Sequence, residues 1–288
     1  MSTVKGLDTA SSCTNVASTV KSNGYSFIGR YYGNYKLTLK EAQALSKAGV
    51  QIVALWESGS PTSSSYFSYN KGTADGKTAY NYAKDTIGQP SGTPIYFAVD
   101  YDASASDVSG VILQYFNGVH DAFSDLGNQY KIGVYGSGAV CNYIYQNVTT
   151  VLYTMLAASS KWRESSAYTS WNIKQGSTVT IGGVTFDSDI ATNAGGFLLI
   201  NSNTVVQIDT TTDVTKNAGQ TYIFKTTSEQ TPTVTVGTSG VVTLTHLRRD
   251  GQSDYWQLLY IGSSGQATGI YTAGPGEQPL KRFVARVA

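Results

Sequence analysis

The stretch PIYFAVDYD, residues 94–102, decides how this chain is read. Six apolar residues, Pro94 to Val99, run into two carboxylates, Asp100 and Asp102, with one tyrosine between them. An unbroken apolar run of this length is the mark of a strand buried on both faces, as in parallel α/β sheets. Residues two apart on a strand face the same way, about 6.6 Å apart. The alternation therefore predicts that both acids project on one side, where like charges oppose each other's ionisation. A strand that ends so points to a site.

The same alternation of strand and helix extends on either side. VKGLDTA (4–10), YSFIGRYYG (25–33), VQIVALWES (50–58) and YKIGVYGSG (130–138) read as further strands, as do YTMLAAS (153–159), YTSWNIKQ (168–175) and VTFDSDIA (184–191). Helical patterns fall between the earlier ones. LTLKEAQALSKAG (37–49) is the clearest: Thr38 and Glu41 make a capping box and Gly49 a stop. CTNVASTVKSNG closes on Asn23-Gly24. Eight strands interleaved with helices predict an α/β fold, a closed (β/α)8 TIM-like barrel.

Near residue 196 the pattern changes. FLLIN, TVVQID, QTYIFKTT, TPTVTVG, VVTLTHLRR, DYWQLLYIG, GQATGIYTA and RFVARVA are short alternating runs with no helix signal among them. They predict a small all-β domain, sandwich or barrel, over 196–288, after a barrel over 1–195.

Composition limits the function classes. Net charge is +1 and no basic run exceeds the pair Arg248–Arg249, so the clustered field of a nucleic-acid groove is absent. No apolar run reaches the ~18–20 residues of a membrane span. MSTVKGLDTA has no apolar h-region, so no signal peptide is expected in this chain. Charged residues are only 14%, and Ser, Thr, Gly, Asn and 21 Tyr supply the polar surface. That composition suits an extracellular or cell-surface protein acting on sugars, with a phage-associated location as the alternative.

Two cysteines, Cys13 and Cys141, and two histidines, His120 and His246, are scattered, so neither a metal site nor a cofactor is expected. His120 sits in a helical pattern and reads as structural. The cysteines follow strands one and five of a closed barrel, too far apart for the ~7 Å that a disulfide allows between Cα atoms.

Acids recur at the strand ends. Asp8 ends strand one, Glu57 strand three, Asp100 and Asp102 strand four, while Asp187 and Asp189 lie in strand eight. A strand-end Asp can simply cap the next helix, but four strands delivering acids to one rim favour a site. Tyr31, Tyr32, Trp56, Tyr101 and Tyr135 lie beside them and could stack on sugar faces or only pack the mouth.

GLDTA (6–10), IYFAVDYD (95–102), IGVYGSG (132–138) and VTFDSDIA (184–191) resemble, in order and spacing, the glycoside-hydrolase-like domain family of formerly unknown function, over residues 4–192. That family is related to the glycoside hydrolase family 25 muramidases. The resemblance implies a barrel cleft for peptidoglycan or a related polysaccharide. Muramidases carry an Asp in strand one, Asp-x-Glu in strand four and an Asp in strand eight. Asp8, Asp100 and Asp187 match three of these, and Asp102 stands where the general-acid Glu would be. The expected catalytic set is thus Asp102 as general acid, Asp100 and Asp8 holding the substrate, Asp187 opposite them and Glu57 as stabilising carboxylate. Two crowded acids push their pKa values apart, which suits glycoside hydrolysis. The alternative reading is a non-catalytic glycan-binding or phage structural barrel.

Overall fold

The computed structural model describes residues 3–199, 206–228, 230–274 and 278–288. Eight strands close into one barrel in chain order: β1 (Val4–Asp8), β2 (Phe27–Tyr31), β3 (Gln51–Trp56), β4 (Pro94–Ala98), β5 (Lys131–Gly136), β6 (Val151–Leu156), β7 (Ile173–Ile181) and β8 (Val184–Ala191). Strands β1 to β7 run parallel. Strand β8 runs antiparallel to both β7 and β1. This corrects the expected (β/α)8 barrel.

The cause is local. Only Gly182 and Gly183 separate β7 from β8, with φ of 58° and 80°. A parallel crossover needs a dozen or so residues, whereas two residues at positive φ make a tight hairpin.

Helices α1 (Ala17–Ser22), α2 (Leu39–Lys47), α3 (Tyr69–Asn81), α4 (Ala105–Asp107), α5 (Leu113–Asp125) and α6 (Gly138–Asn147) follow the first five strands. No helix lies between β6 and β7 among the described residues. The parallel strands are apolar on both faces because both are buried. Ile28, Ala54, Phe97 and Val134 face the helices, in one core with Leu45, Phe116 and Ile144. Phe27, Val53, Leu55, Tyr96, Met155 and Ile173 fill the barrel interior. Its floor is closed by residues after β8: the Tyr96 hydroxyl donates to Ala194 O at 2.9 Å, and Phe197 bridges to Ile52.

The expected capping box on α2 is half made. Thr38 accepts the Glu41 N–H at 3.2 Å. The Glu41 carboxylate is instead drawn to buried Arg30, whose Nε donates to it at 2.7 Å, and it also accepts Cys13 N–H at 2.8 Å. Arg30 in turn donates to Thr9 O at 2.6 Å. Two loops at the barrel rim are tied through one satisfied ion pair.

The chain divides into two compact units, Met1–Ile200 and Asn201–Ala288. In the second, β9 (Gln207–Ile208), β11 (Thr221–Thr227), β13 (Val242–Asp250) and β14 (Ser253–Tyr260) form one sheet in the order β13-β14-β11-β9. The other is β10-β16-β15-β12, with β10 (Val214–Lys216), β12 (Thr233–Val236), β15 (Ala267–Ala273) and β16 (Leu280–Val287). Phe224, Trp256 and Leu258 of one sheet share a core with Ile270, Phe283 and Ala285 of the other. Of FLLIN, residues 197–199 lie with the barrel unit, where Leu199 N–H donates to Ser46 Oγ, and Ile200 and Asn201 lie outside the described residues.

Candidate active site

The antiparallel closure sets the site's geometry. In the β1–β8 seam Asp8 pairs with Asp187, and Gly6 with Asp189. All three acids are therefore brought to adjoining positions of two neighbouring strands. Gly29 on β2 leaves them room, since a Cβ there would come within 2.8 Å of Asp8 Cβ. Glu57 and Asp100 arrive from just beyond β3 and β4. Together Asp8, Glu57, Asp100 and Asp187 line a cavity of about 200 Å³. Tyr31, Tyr96, Tyr135 and Gln175 complete its polar lining, and Leu55, Ala98 and Met155 its apolar part. Among the described residues the lining has no Lys, Arg or His.

Acids gathered without a cation resist ionisation. Asp8 is 2% exposed, and burial above all pushes its carboxyl up to about 7. Gln175, whose Nε2 donates to Asp8 Oδ2 at 2.8 Å, partly offsets this, while the charge of Asp187 adds to it. Burial and then Asp100 raise Glu57, and burial raises Asp100. The hydroxyls of Tyr31 and Tyr135 are held protonated, first by burial and then by the surrounding carboxylates. Asp187 accepts a hydrogen bond from Thr178 at 3.0 Å. No group of three or more His, Cys, Asp or Glu among the described residues is arranged to hold a metal.

Four of the expected site residues lie elsewhere. Asp102 is exposed, and its Oδ1 accepts the Arg163 backbone N–H at 2.7 Å. The strand ends at Ala98, so the two-residue alternation that placed Asp102 beside Asp100 no longer applies. Tyr32, Trp56 and Tyr101 face the helix layer. Tyr32 is fully buried and donates to Gln89 Oε1 at 2.7 Å. Trp56 packs on Phe97, and Tyr101 stacks on Phe67. At the ends of β2 and β3, Tyr31 and Glu57 turn into the cleft while the adjacent Tyr32 and Trp56 turn to the helix layer, and beyond β4 Asp100 lines the cleft while Tyr101 packs outside it.

The sequence does not single out Tyr96 or Gln175, and it offers Asp189 only as one of the two strand-eight acids. Tyr96 shares the parity of Asp100, so the strand period alone could have found it. Gln175 ends a strand-like run, but as a neutral amide it escapes a search for acids. Its Oε1 accepts the Tyr135 hydroxyl at 3.1 Å and Ala158 N–H at 3.2 Å, which fixes which end of the amide faces Asp8.

A family model described as Rv2525c-like, glycoside hydrolase-like domain matches residues 18–223. The uncharacterized protein FadG of Bacillus subtilis (strain 168) is 30% identical over 190 residues, 60% of this chain and 32% of that protein. The uncharacterized protein YbfG of the same strain is 37% identical over 155 residues, 48% of this chain and 21% of its own length. The chain thus spans a third or less of these curated relatives. The Mycobacterium tuberculosis Tat-secreted protein Rv2525c, crystallised in complex with L-tartrate, superposes with a TM-score of 0.53 at 18% identity, covering 65% of this chain and 93% of that one. At that identity the likeness concerns the fold.

Proposed function

We propose, on the premise that this chain belongs to the Rv2525c-like family of glycoside hydrolase-like domains, that its barrel cleaves a glycosidic bond in cell-wall peptidoglycan or a related polysaccharide. The observation that carries this reading is the cleft, with no Lys, Arg or His in its described lining, in which burial pushes Asp8 up to about 7 beside three further acids. Glycoside hydrolysis needs a protonated carboxyl for the leaving oxygen and a carboxylate for the positive charge that develops on the sugar. Asp8 is the proton donor. Asp100 and Glu57 provide the stabilising carboxylate or activate a water, and Asp187 holds the substrate beside Asp8. Tyr31 and Tyr135 present hydroxyls and ring edges to the sugar. The role of general acid thus passes from Asp102, which is spent on a backbone N–H, to Asp8.

Work on a cell-wall polymer would place the protein at or outside the cell surface. The Tat-secreted relative supports this location. No described helix is long and apolar enough to cross a membrane.

The test is release of reducing ends from purified peptidoglycan and from chitin-type oligosaccharides, with binding to the same materials measured alongside. Asp8→Asn should lower turnover by about 10²–10⁴-fold and leave binding nearly intact, whereas Asp102→Asn should leave both unchanged. A second reading, a barrel that binds glycan without cutting it, is favoured by one observation: the residue at the position of the muramidase acid is turned out of the cleft. Wild type that binds these glycans and releases nothing would decide for it.

A further inference from the structure

Asp189 has no role in the cleft chemistry above, yet it is the most anomalous acid in the barrel. It is 3% exposed, and neither carboxyl oxygen has a hydrogen-bond partner within bonding distance among the described residues. Burial without a partner strongly disfavours the charged form of such a carboxyl. It does not line the cleft with Asp8. It lines a second cavity of about 300 Å³, bordered by Lys5, Tyr25, Lys174, Ser188 and Ile190. Gln175 belongs to the walls of both cavities.

The partition has a visible cause. Between Gln175 and Thr178 the β7–β8 register shifts, so two residues of β7 stand opposite one of β8. Such a bulge bends the strand and re-aims neighbouring side chains. Here Ser188 Oγ caps the displaced Ser177 O at 2.7 Å, and the side cavity opens next to it. Asp189 itself alternates with the outward-facing Ser188 and Ile190, so its carboxyl turns the other way, into the barrel, on the side of Asp187 and Asp8.

We propose that Asp189 is a positioning residue that keeps its own proton and offers that O–H as a hydrogen bond to the carboxylate left on Asp8 after Asp8 gives up a proton. This rests on the reading of Asp8 as proton donor but is tested apart from turnover. The groups that act on it are consistent with the assignment. Asp8 from β1 and Asp187 on its own strand oppose its ionisation after burial itself, and the protonated Tyr96 hydroxyl lies near it from β4. Lys5 and Lys174 border the side cavity but are exposed at its mouth, where solvent screens them. The Tyr31 hydroxyl from β2 and Gln175 from β7 both favour the charged form of Asp8, so its carboxylate is met from three sides once formed.

The experiment is a pH titration of the full chain carrying ¹³Cγ-labelled aspartate, followed by NMR for wild type, Asp189→Asn and Asp189→Leu. In wild type the Asp189 signal should stay that of a protonated carboxyl while Asp8 titrates near 7. Asparagine also donates, so Asp189→Asn should leave the Asp8 midpoint within about half a pH unit. Leucine has the same shape without a donor, so Asp189→Leu should raise it by about one unit. A fall of a unit or more in Asp189→Asn would show that Asp189 had been an ionised neighbour, and an unmoved midpoint in both variants would show no contact; either overturns the proposal. Should the leucine variant not fold, the Asp189 signal and the asparagine variant decide alone. A chain that cleaves no glycan would defeat the proposed function and leave this titration standing.

Discussion

At the scale of single residues, burial acts on cleft acids that have no Lys, Arg or His beside them in the described lining. If Asp8 is the donor as proposed, it must carry its proton, so cleavage should decline as pH rises through about 7. A pH–rate profile flat to pH 9 would remove Asp8 from that role. The same shift has a stability consequence of definite sign. A carboxyl raised in the fold binds more protons there than in the unfolded chain. Stability is then fully present below about pH 4 and lost as pH rises towards about 7 for Asp8, and further for Asp189, whose carboxyl is held well above its usual range. Urea midpoints at pH 5 and pH 8 should show the fall, and Asp189→Asn should reduce it. The two cysteines are buried and free, with burial pushing both thiols up to about 12. They should resist a thiol reagent in the folded chain and count as two after unfolding.

At the scale of elements, close approach of backbones decides which glycines matter. Helices α3 and α5 cross with Gly72 against the Tyr115 carbonyl and Gly118 against the Tyr69 carbonyl, where an added Cβ would overlap backbone. Gly72→Ala should therefore cost about 1–3 kcal/mol from overpacking, despite the ~1 kcal/mol that alanine gains in helix propensity. Gly110, in the wide turns that precede α5, has nothing within 4 Å of an added Cβ. Gly110→Ala should stabilise by roughly 0.4–1 kcal/mol. Thermal unfolding of the two variants should move in opposite directions. This contrast was not legible from sequence, where both glycines sit in helical runs. The hairpin between β7 and β8 was partly legible: Gly182-Gly183 between two alternating runs is a turn signal. The expectation of a repeated βα unit overrode it.

At the scale of the whole chain, the barrel and the β unit have separate cores. We expect each to fold by itself, but the position of the cut matters. Phe197 and Leu199 are buried in the barrel unit, and Phe197 pairs through both backbone groups with Ile52. A fragment of residues 1–200 should be soluble with the cleft intact, whereas 1–195 should be less stable by several kcal/mol (two large apolar side chains at roughly 1.5–3 each). Circular dichroism melts of both fragments beside the full chain would measure it. Equal stability of the two would mean that the Phe197 bridge contributes nothing.

The sequence by itself determined the existence and type of nearly every barrel strand, the change to an all-β module and the address of Asp8, Glu57, Asp100 and Asp187. These follow from period and composition, which act locally. It also carried the resemblance that leads to the family. Only the tertiary structure decided which of two adjacent side chains faces the cleft, the direction of β8 and the fate of Asp102. Each depends on where a strand stops and what the loop beyond it touches. Asp102 leaves the site because Arg163, sixty-one positions away, offers its N–H. Asp189 gains its importance because an antiparallel closure sets it opposite Gly6, next to Asp8. Contacts of such separation have no local signature, since they are selected by the packing of the closed barrel and not by the chain's own periodicity.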